Sequence, residues 1–179
     1  MASQVVVLNG GSSSGKSTIA RALQDILPTT WLTFGVDDLV DALPPAGGDI
    51  VVHPDGSVDV GPGFSAAESA WMHGIAEIAR AGAPVIVDDV FLGGAASQER
   101  WRTALAGLGV LWVGVRCDPD TAAAREASRG DRTAGMARSQ AVGVHDGVRY
   151  DVVVDSAADA PDTCARTIAQ ALARSDSVA

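Results

Sequence analysis

Lysine is almost missing from this chain. Twelve of its 13 basic residues are arginine, and Lys16 is the one lysine. A composition that has replaced lysine elsewhere keeps it where a compact ammonium, not a planar fork, is wanted. Aromatic residues make up only 4%, so a core has to be built mainly from Val, Leu, Ile and Ala. Positive charge is scarce as well: 22 acidic against 13 basic residues leave a net charge of −9. That excludes the basic stripe of a nucleic-acid binder and the cationic face of a protein that docks on anionic membranes. No apolar run approaches the ~18 residues of a membrane span. Residues 1–8 have neither a basic n-region nor a long apolar h-region, so no signal peptide is expected. The two cysteines, Cys117 and Cys164, show no motif spacing and read as buried thiols of a reducing compartment. His53, His73 and His145 are widely separated, with no zinc-type pattern. Together these absences predict a cytoplasmic protein. Its 179 residues suit a single domain, 1–179, with a substantial core.

What is present is concentrated near the start. Val5-Val6-Val7-Leu8-Asn9 reads as a strand, and Gly10-Gly11-Ser12-Ser13-Ser14-Gly15-Lys16-Ser17-Thr18 follows it. Gly10, Gly15, Lys16 and Ser17 fit G-x-x-x-x-G-K-[ST], the phosphate-binding P-loop. Gly10 and Gly15 let the main chain approach an anion, and the N–H groups of 10–18 turn towards it. A helix starting near Gly15 adds its positive end. In this motif Lys16 reaches the β- and γ-phosphates of ATP and the Ser17 hydroxyl is a Mg²⁺ ligand. Lys16 is expected to face solvent until a nucleotide arrives. The amphipathic run Ile19, Leu23, Ile26, Leu27, stopped by Pro28, supplies the helix.

Strands are expected near 4–9, 31–36, 84–88, 110–115 and 150–154, alternating with helices. The fold class is therefore α/β: a three-layer P-loop NTPase fold with a five-stranded, largely parallel sheet and helices on both faces. Residues 44–63 are polar and rich in Gly and Pro. Within them Ile50–His53 and Val58–Val60 flank Pro54-Asp55-Gly56-Ser57, a small hairpin in an insertion bordering the acceptor. Phe64 to Ala81 reads as a long helix with Ser65 as N-cap and Glu68 completing a capping box. Helices are also expected over Ala95–Leu108 and Pro119–Ser128.

Ligands of such sheets bind beyond the carboxyl ends of the strands. Asp37-Asp38 and Asp88-Asp89 stand at two of those ends. Phosphoryl transfer needs a group that orients and deprotonates the acceptor, and Asp37 is the candidate base. Asp38 is either a second acceptor-site carboxylate or the N-cap of a short helix from Leu39. Asp88-Asp89 resembles a Walker-B acid: Asp88 is assigned to the metal and Asp89 to the acceptor, although alternation alone leaves open which faces the metal. Arg125, Arg129 and Arg132 follow i, i+4, i+7 spacing, with Arg138 a fourth candidate. They read as one face of a lid around 125–140 that clamps phosphates and excludes water, the alternative being surface arginines paired with Glu126 and Asp131. Trp71, on the long helix, is a candidate wall of the acceptor pocket.

Several blocks are more specific than the P-loop. Val7-Leu8-Asn9-Gly10-Gly11-Ser12-Ser13, Trp31 through Phe34-Gly35-Val36-Asp37, Asp88-Asp89-Val90-Phe91-Leu92-Gly93-Gly94-Ala95, Gln98-Glu99-Arg100-Trp101-Arg102, Leu111 through Cys117 and Arg129-Gly130-Asp131-Arg132 resemble the chloramphenicol phosphotransferases. The resemblance implies a fold like that of the shikimate and adenylate kinases. It also implies phosphorylation of the primary hydroxyl of chloramphenicol by ATP, which inactivates the antibiotic. Asp37 then corresponds to the family's general base, Lys16 and Ser17 to its donor and metal positions, and the arginines of 125–132 to its lid. Asp38 and residues 44–63 depart from the family pattern, so the resemblance speaks to an O-phosphotransferase more than to one antibiotic. The expected partners are ATP, Mg²⁺ and a small-molecule alcohol, with self-association left open. The alternatives are a metabolic or nucleoside kinase and a nucleotide-binding switch.

Overall fold

The computed structural model describes residues 3–44, 47–129 and 135–178. Five parallel strands form the main sheet in the order β2 (Leu32–Gly35), β5 (Val85–Asp89), β1 (Ser3–Asn9), β6 (Gly109–Arg116) and β7 (Val152–Asp155). The β1 run is apolar without interruption because both its faces are buried. Val6 and Leu8 join a core with Ile19 and Leu23 of α1 (Lys16–Ile26) and Ile168 of α7 (Pro161–Val178). Val5 and Val7 join a second core with Met72 and Ile75 of α3 (Pro62–Arg80) and Trp101 of α4 (Ala95–Ala104). Side chains of one strand alternate between faces, so the sheet is the middle of three layers.

The register brings the functional strand ends level. Leu8 pairs with Asp88 and Asn9 with Asp89 across β1–β5, and Gly35 pairs with Asp88 across β2–β5. Chain connections leave β1 for one side through β2 and β5, then cross to the other through β6 and β7. The reversal lies at the end of β1, where ligands of open α/β sheets bind.

The helix borders correct several expectations. The long helix starts at Pro62, with Gly61 as its N-cap, four residues before the expected cap Ser65. Pro at the first turn is favoured because its missing N–H would be unpaired there anyway. Ser65 instead bonds the Gly61 carbonyl, and Glu68 pairs with Arg100. The helix ends as expected at Gly82, φ 95°, through paired bonds from Gly82 N to Ala79 O and from Ala83 N to Ile78 O. Helix α2 (Val36–Asp41) begins directly at the end of β2. Asp38 lies inside it, its carboxylate accepting the Gly35 N–H at 2.7 Å. It therefore closes the helix start from the first turn rather than as N-cap. The helix from Ala95 ends at Ala104, short of Leu108.

Strands β3 (Ile50–Val52) and β4 (Val58–Val60) form the expected antiparallel hairpin. Its turn is closed by Asp55, which accepts the Ser57 N–H at 2.9 Å and the Ser57 hydroxyl at 2.6 Å. Helix α5 (Pro119–Arg129) is followed by α6 (Met136–Gly143). The buried Glu126 carboxylate of α5 caps the start of α6, accepting N–H groups of Gly135 at 2.8 Å and Ala137 at 2.7 Å.

Candidate active site

The loop after β1 runs close against β6. A Cβ on Gly10 would lie 2.5 Å from the Val115 carbonyl, so only glycine fits. Gly15 caps α1 in the left-handed region at φ 87°, and Ser13 shares that region at φ 57°. Helix α1 has no side-chain cap and no acid in its first turn, which leaves its N–H groups for an anion. The hydroxyls of Ser12, Ser13 and Ser14 are buried with no hydrogen-bond partner among the described residues. Orphaned buried donors are rare and call for a ligand. A polyphosphate, with two non-bridging oxygens on each inner group and three on the last, fits this cradle.

Lys16 is buried, at 7% exposure, and not solvent-facing as expected. Its Nζ donates to the Gly11 carbonyl at 3.0 Å and lies 3.6 Å from Asp88 Oδ1. A buried ammonium needs such partners to offset lost hydration. The Ser17 hydroxyl donates to Asp88 Oδ2 at 2.6 Å. Hydroxyl and carboxylate oxygens are the hard donors that Mg²⁺ takes, and it keeps waters for its remaining positions. Ser17 and Asp88 would hold that ion.

Asp88 and Asp89 part because successive residues of a strand face opposite ways. Asp88 follows Ile86 towards α1; Asp89 follows Val87 towards α4. Asp89 is buried and accepts Trp101 Nε1 and Val90 N, both at 2.6 Å. Burial pushes its carboxyl above the ordinary range, and these two bonds only partly offset it. Asp89 borders the cleft, but both its oxygens are engaged by protein donors.

A cleft of about 740 Å³ joins the cradle to the ends of β2 and β5. Ser12, Ser13, Lys16, Ser17 and Asp88 line its donor side. Asp37 and Asp38 enter it from the first turn of α2. Apolar side chains also line it: Val40, Val52, Val60, Phe64 and Leu92. Two of these, Val52 and Val60, come from the hairpin within 44–63. The hairpin turn also touches α6, since a Cβ on Gly56 would lie 2.3 Å from Met136 N. Glu68 and Arg100 add a half-buried ion pair at 3.1 Å, and burial raises the Glu68 carboxyl against the pull of Arg100.

Three expected site residues stand elsewhere. Trp71 does not line the cleft; it packs edge-on against Trp101, centroids 5.5 Å apart. In a chain so poor in aromatics it serves the core. Arg125 does not line the cleft but sits beside Gly15: Nη2 donates to the Ser156 carbonyl at 2.7 Å and Nη1 to its hydroxyl at 3.2 Å. The Ser156 hydroxyl donates in turn to the Ser14 carbonyl at 2.6 Å, so Arg125 is tied to the loop through Ser156. Arg138 pairs with Asp120 at the surface. The Arg129 side chain and all of Arg132 lie outside the described residues, as does Gly130.

Gln140 of α6 escaped the sequence reading: its Oε1 accepts the Ser12 N–H at 2.8 Å. So did a network beneath the loop. Asn9 donates to the Val144 carbonyl at 2.7 Å and to the Tyr150 hydroxyl at 2.6 Å, and accepts the Phe91 N–H at 2.9 Å. The Tyr150 hydroxyl shares a second hydrogen bond with His145 Nδ1 at 2.6 Å. Burial depresses the His145 pKa to about 4, helped by Arg116 and Lys16 and opposed by Asp146. Tyr150 is pushed up to about 12, also by burial. A lone Gln in a helix and a lone His in the turn after it carry no spacing signal.

Comparison with known proteins adds the following. The family described as "Chloramphenicol phosphotransferase-like protein" matches residues 3–173. Two Mycobacterium tuberculosis strains carry a relative described as a "Putative O-phosphotransferase"; each is 32% identical over 92% of this chain and 80% of its own. Among solved structures, a sugar kinase from Janibacter sp. superposes with TM-score 0.72 at 18% identity, covering 99% of this chain and 98% of its own. A gluconokinase from Sinorhizobium meliloti gives TM-score 0.67 at 20% identity over 98% and 94%. The three-layer fold with its parallel sheet is that of these P-loop kinases. No helix among the described residues is long and apolar enough to cross a membrane.

Proposed function

The chain belongs to the chloramphenicol phosphotransferase-like family, and from that premise we propose that it moves the γ-phosphoryl group of ATP to a hydroxyl of a small molecule. The leading acceptor is the primary hydroxyl of chloramphenicol or a related antibiotic. One observation carries the reading: Asp37 lines the same cleft as Lys16, Ser17 and Asp88, although the four come from three separate elements. A nucleotide-binding switch gives Asp37 no task.

When bound, ATP with Mg²⁺ supplies the phosphoryl group and a divalent charge beside it. The chain's own residues do the rest. Lys16 and the N–H groups of 13 and 15–17 hold the phosphates, those of Ser12 and Ser14 being bonded to Gln140 and Gly11. Ser17 and Asp88 hold the metal. Asp37 orients the acceptor hydroxyl in line and takes its proton late, as the new O–P bond forms and the bond to the departing diphosphate breaks. The apolar side chains of the cleft seat the body of the acceptor, with the 44–63 insertion contributing Val52 and Val60. A lid around 125–140, with Arg129 and Arg132 on it, would limit transfer to water. A location in the cytoplasm, where ATP is made available, accords with this chemistry.

The test is ADP release in the presence of Mg²⁺, measured against chloramphenicol, other hydroxylated antibiotics, sugars and nucleosides. Acceptor-dependent release with chloramphenicol supports the full reading. Release only with a sugar or nucleoside moves the protein to metabolic kinases. Nucleotide binding without release under any acceptor would leave a switch.

A further inference from the structure

One peptide plane joins the two sides of the phosphate cradle. The Gly11 carbonyl accepts Lys16 Nζ at 3.0 Å, and the Ser12 N–H of the same peptide donates to Gln140 Oε1 at 2.8 Å. In a trans peptide these two groups point in opposite directions, so ammonium and carboxamide sit on opposite edges of one plane. A backbone N–H can bond only the oxygen of a carboxamide, which fixes the orientation of Gln140. Its Nε2, with two N–H donors, points away from Ser12. Gln140 is 7% exposed and lines the cleft, and its Nε2 makes no hydrogen bond among the described residues. The hydroxyls of Ser12 and Ser13, nine-tenths buried and also without partners among the described residues, face the same cleft.

We propose that Gln140 is a phosphoryl-binding residue whose Nε2 donates to an oxygen of the γ-phosphoryl group. The proposal rests on the kinase reading and deepens it. Lys16 brings a full positive charge to its edge of the peptide. Gln140 adds a neutral donor on the other, and its bond from Ser12 polarises the carboxamide and strengthens Nε2–H as a donor. A donor that touches only the terminal phosphoryl group distinguishes a triphosphate from a diphosphate. It also brings α6 to bear on the group in transfer without adding a second charge beside Lys16.

The experiment is calorimetric titration of the full chain with AMP-PNP and with ADP, both in Mg²⁺, using wild type, Gln140→Met and Gln140→Glu. Losing a hydrogen bond to a charged oxygen costs on the order of tenfold in affinity. We therefore expect the ratio of AMP-PNP affinity to ADP affinity to fall about tenfold in both variants. Gln140→Glu keeps an acceptor for Ser12, so it preserves the anchor of α6 while removing the donor. Its added charge repels the γ-phosphoryl group most, so a fall in Gln140→Glu with none in the neutral Gln140→Met is charge repulsion and overturns the proposal. An unchanged ratio in Gln140→Glu, or equal loss of both nucleotides in Gln140→Met, would reduce Gln140 to a structural anchor and overturn the proposal. Tighter binding of either nucleotide in Gln140→Met would make it an obstruction and overturn it too. Wild type that binds neither nucleotide would instead sink the kinase reading beneath it.

Discussion

The Ser17 hydroxyl and the Asp88 carboxylate meet at 2.6 Å across the gap between α1 and β5. The same carboxylate lies 3.6 Å from the Lys16 ammonium. One side chain thus meets both the hydroxyl and the ammonium that open α1. Asp88→Asn keeps the shape but removes the charge. The Mg²⁺ concentration for half-maximal turnover should rise by about 10–100-fold, the range known for weakened metal partners. A Mg²⁺ titration of turnover that overlays wild type would remove Asp88 from the metal.

Asp37→Asn retains one hydrogen-bond acceptor but cannot take a proton. Turnover should fall by roughly 10²-fold or more, with ADP affinity nearly unchanged. At Asp38 the outcome is different. Its asparagine variant still accepts the Gly35 N–H and should stay active, whereas Asp38→Ala should lose about 1 kcal/mol of stability with the helix start unsupported. If the asparagine variants at 37 and 38 swap these outcomes, the base has been misplaced by one residue.

Lys16→Arg should abolish transfer and also lower the melting temperature. The ammonium fits between Gly11 O and Asp88 at 7% exposure. A guanidinium forced there has to displace packed backbone, at a cost of typically 1–3 kcal/mol. Near-full activity in this variant would undo the P-loop assignment.

Arg125→Ala should act on the loop rather than on the chemical step. Its guanidinium holds Ser156, which holds Ser14. Losing charge-assisted bonds of this kind costs about 1.5–3 kcal/mol. The Michaelis constant for ATP should rise and thermal stability fall, with turnover at saturation changed little. A pure loss of turnover, with stability intact, would return Arg125 to the lid.

His145 gives the fold a pH dependence of defined sign. Its pKa in the folded chain, about 4, lies below the ordinary 6.5. Above pH 6.5 both states are neutral there and nothing changes. As pH falls from 6.5 towards 4 the unfolded chain binds the proton and the folded chain does not, so stability is lost across that window. His145→Gln, which still offers Tyr150 an acceptor, should show a smaller drop in urea midpoint between pH 7 and pH 5 than wild type. Equal drops would mean that the carboxylates alone set the slope.

Legibility in the sequence followed the range of the interaction. The strands declared themselves as uninterrupted apolar runs, since burial on both faces needs no partner to be named, and the P-loop carries its spacing within nine residues. The 50–60 hairpin was legible from Asp55-Gly56. Asp88 and Asp89 were harder. Their faces follow only once α1 is known to pack on Ile86 and α4 on Val87, which is tertiary information. Arg125 misled because helical spacing shows which residues share a face but not what that face meets. Glu126, weighed as a surface partner for arginine, proved to be the buried cap of the next helix. Gln140 meets Ser12 across 128 positions, and no local pattern encodes that distance.

The solitary lysine gives the molecule a built-in chemical reporter. Apart from whatever amine its N-terminus carries, Lys16 Nζ is the only primary amine in the chain. It is shut between a carbonyl and a carboxylate at 7% exposure. An amine-reactive ester therefore has a single internal target, and that target reacts only when the cradle opens. The rate of acylation at this residue, followed by intact-mass measurement, times that opening without a label, a second variant or an acceptor in hand.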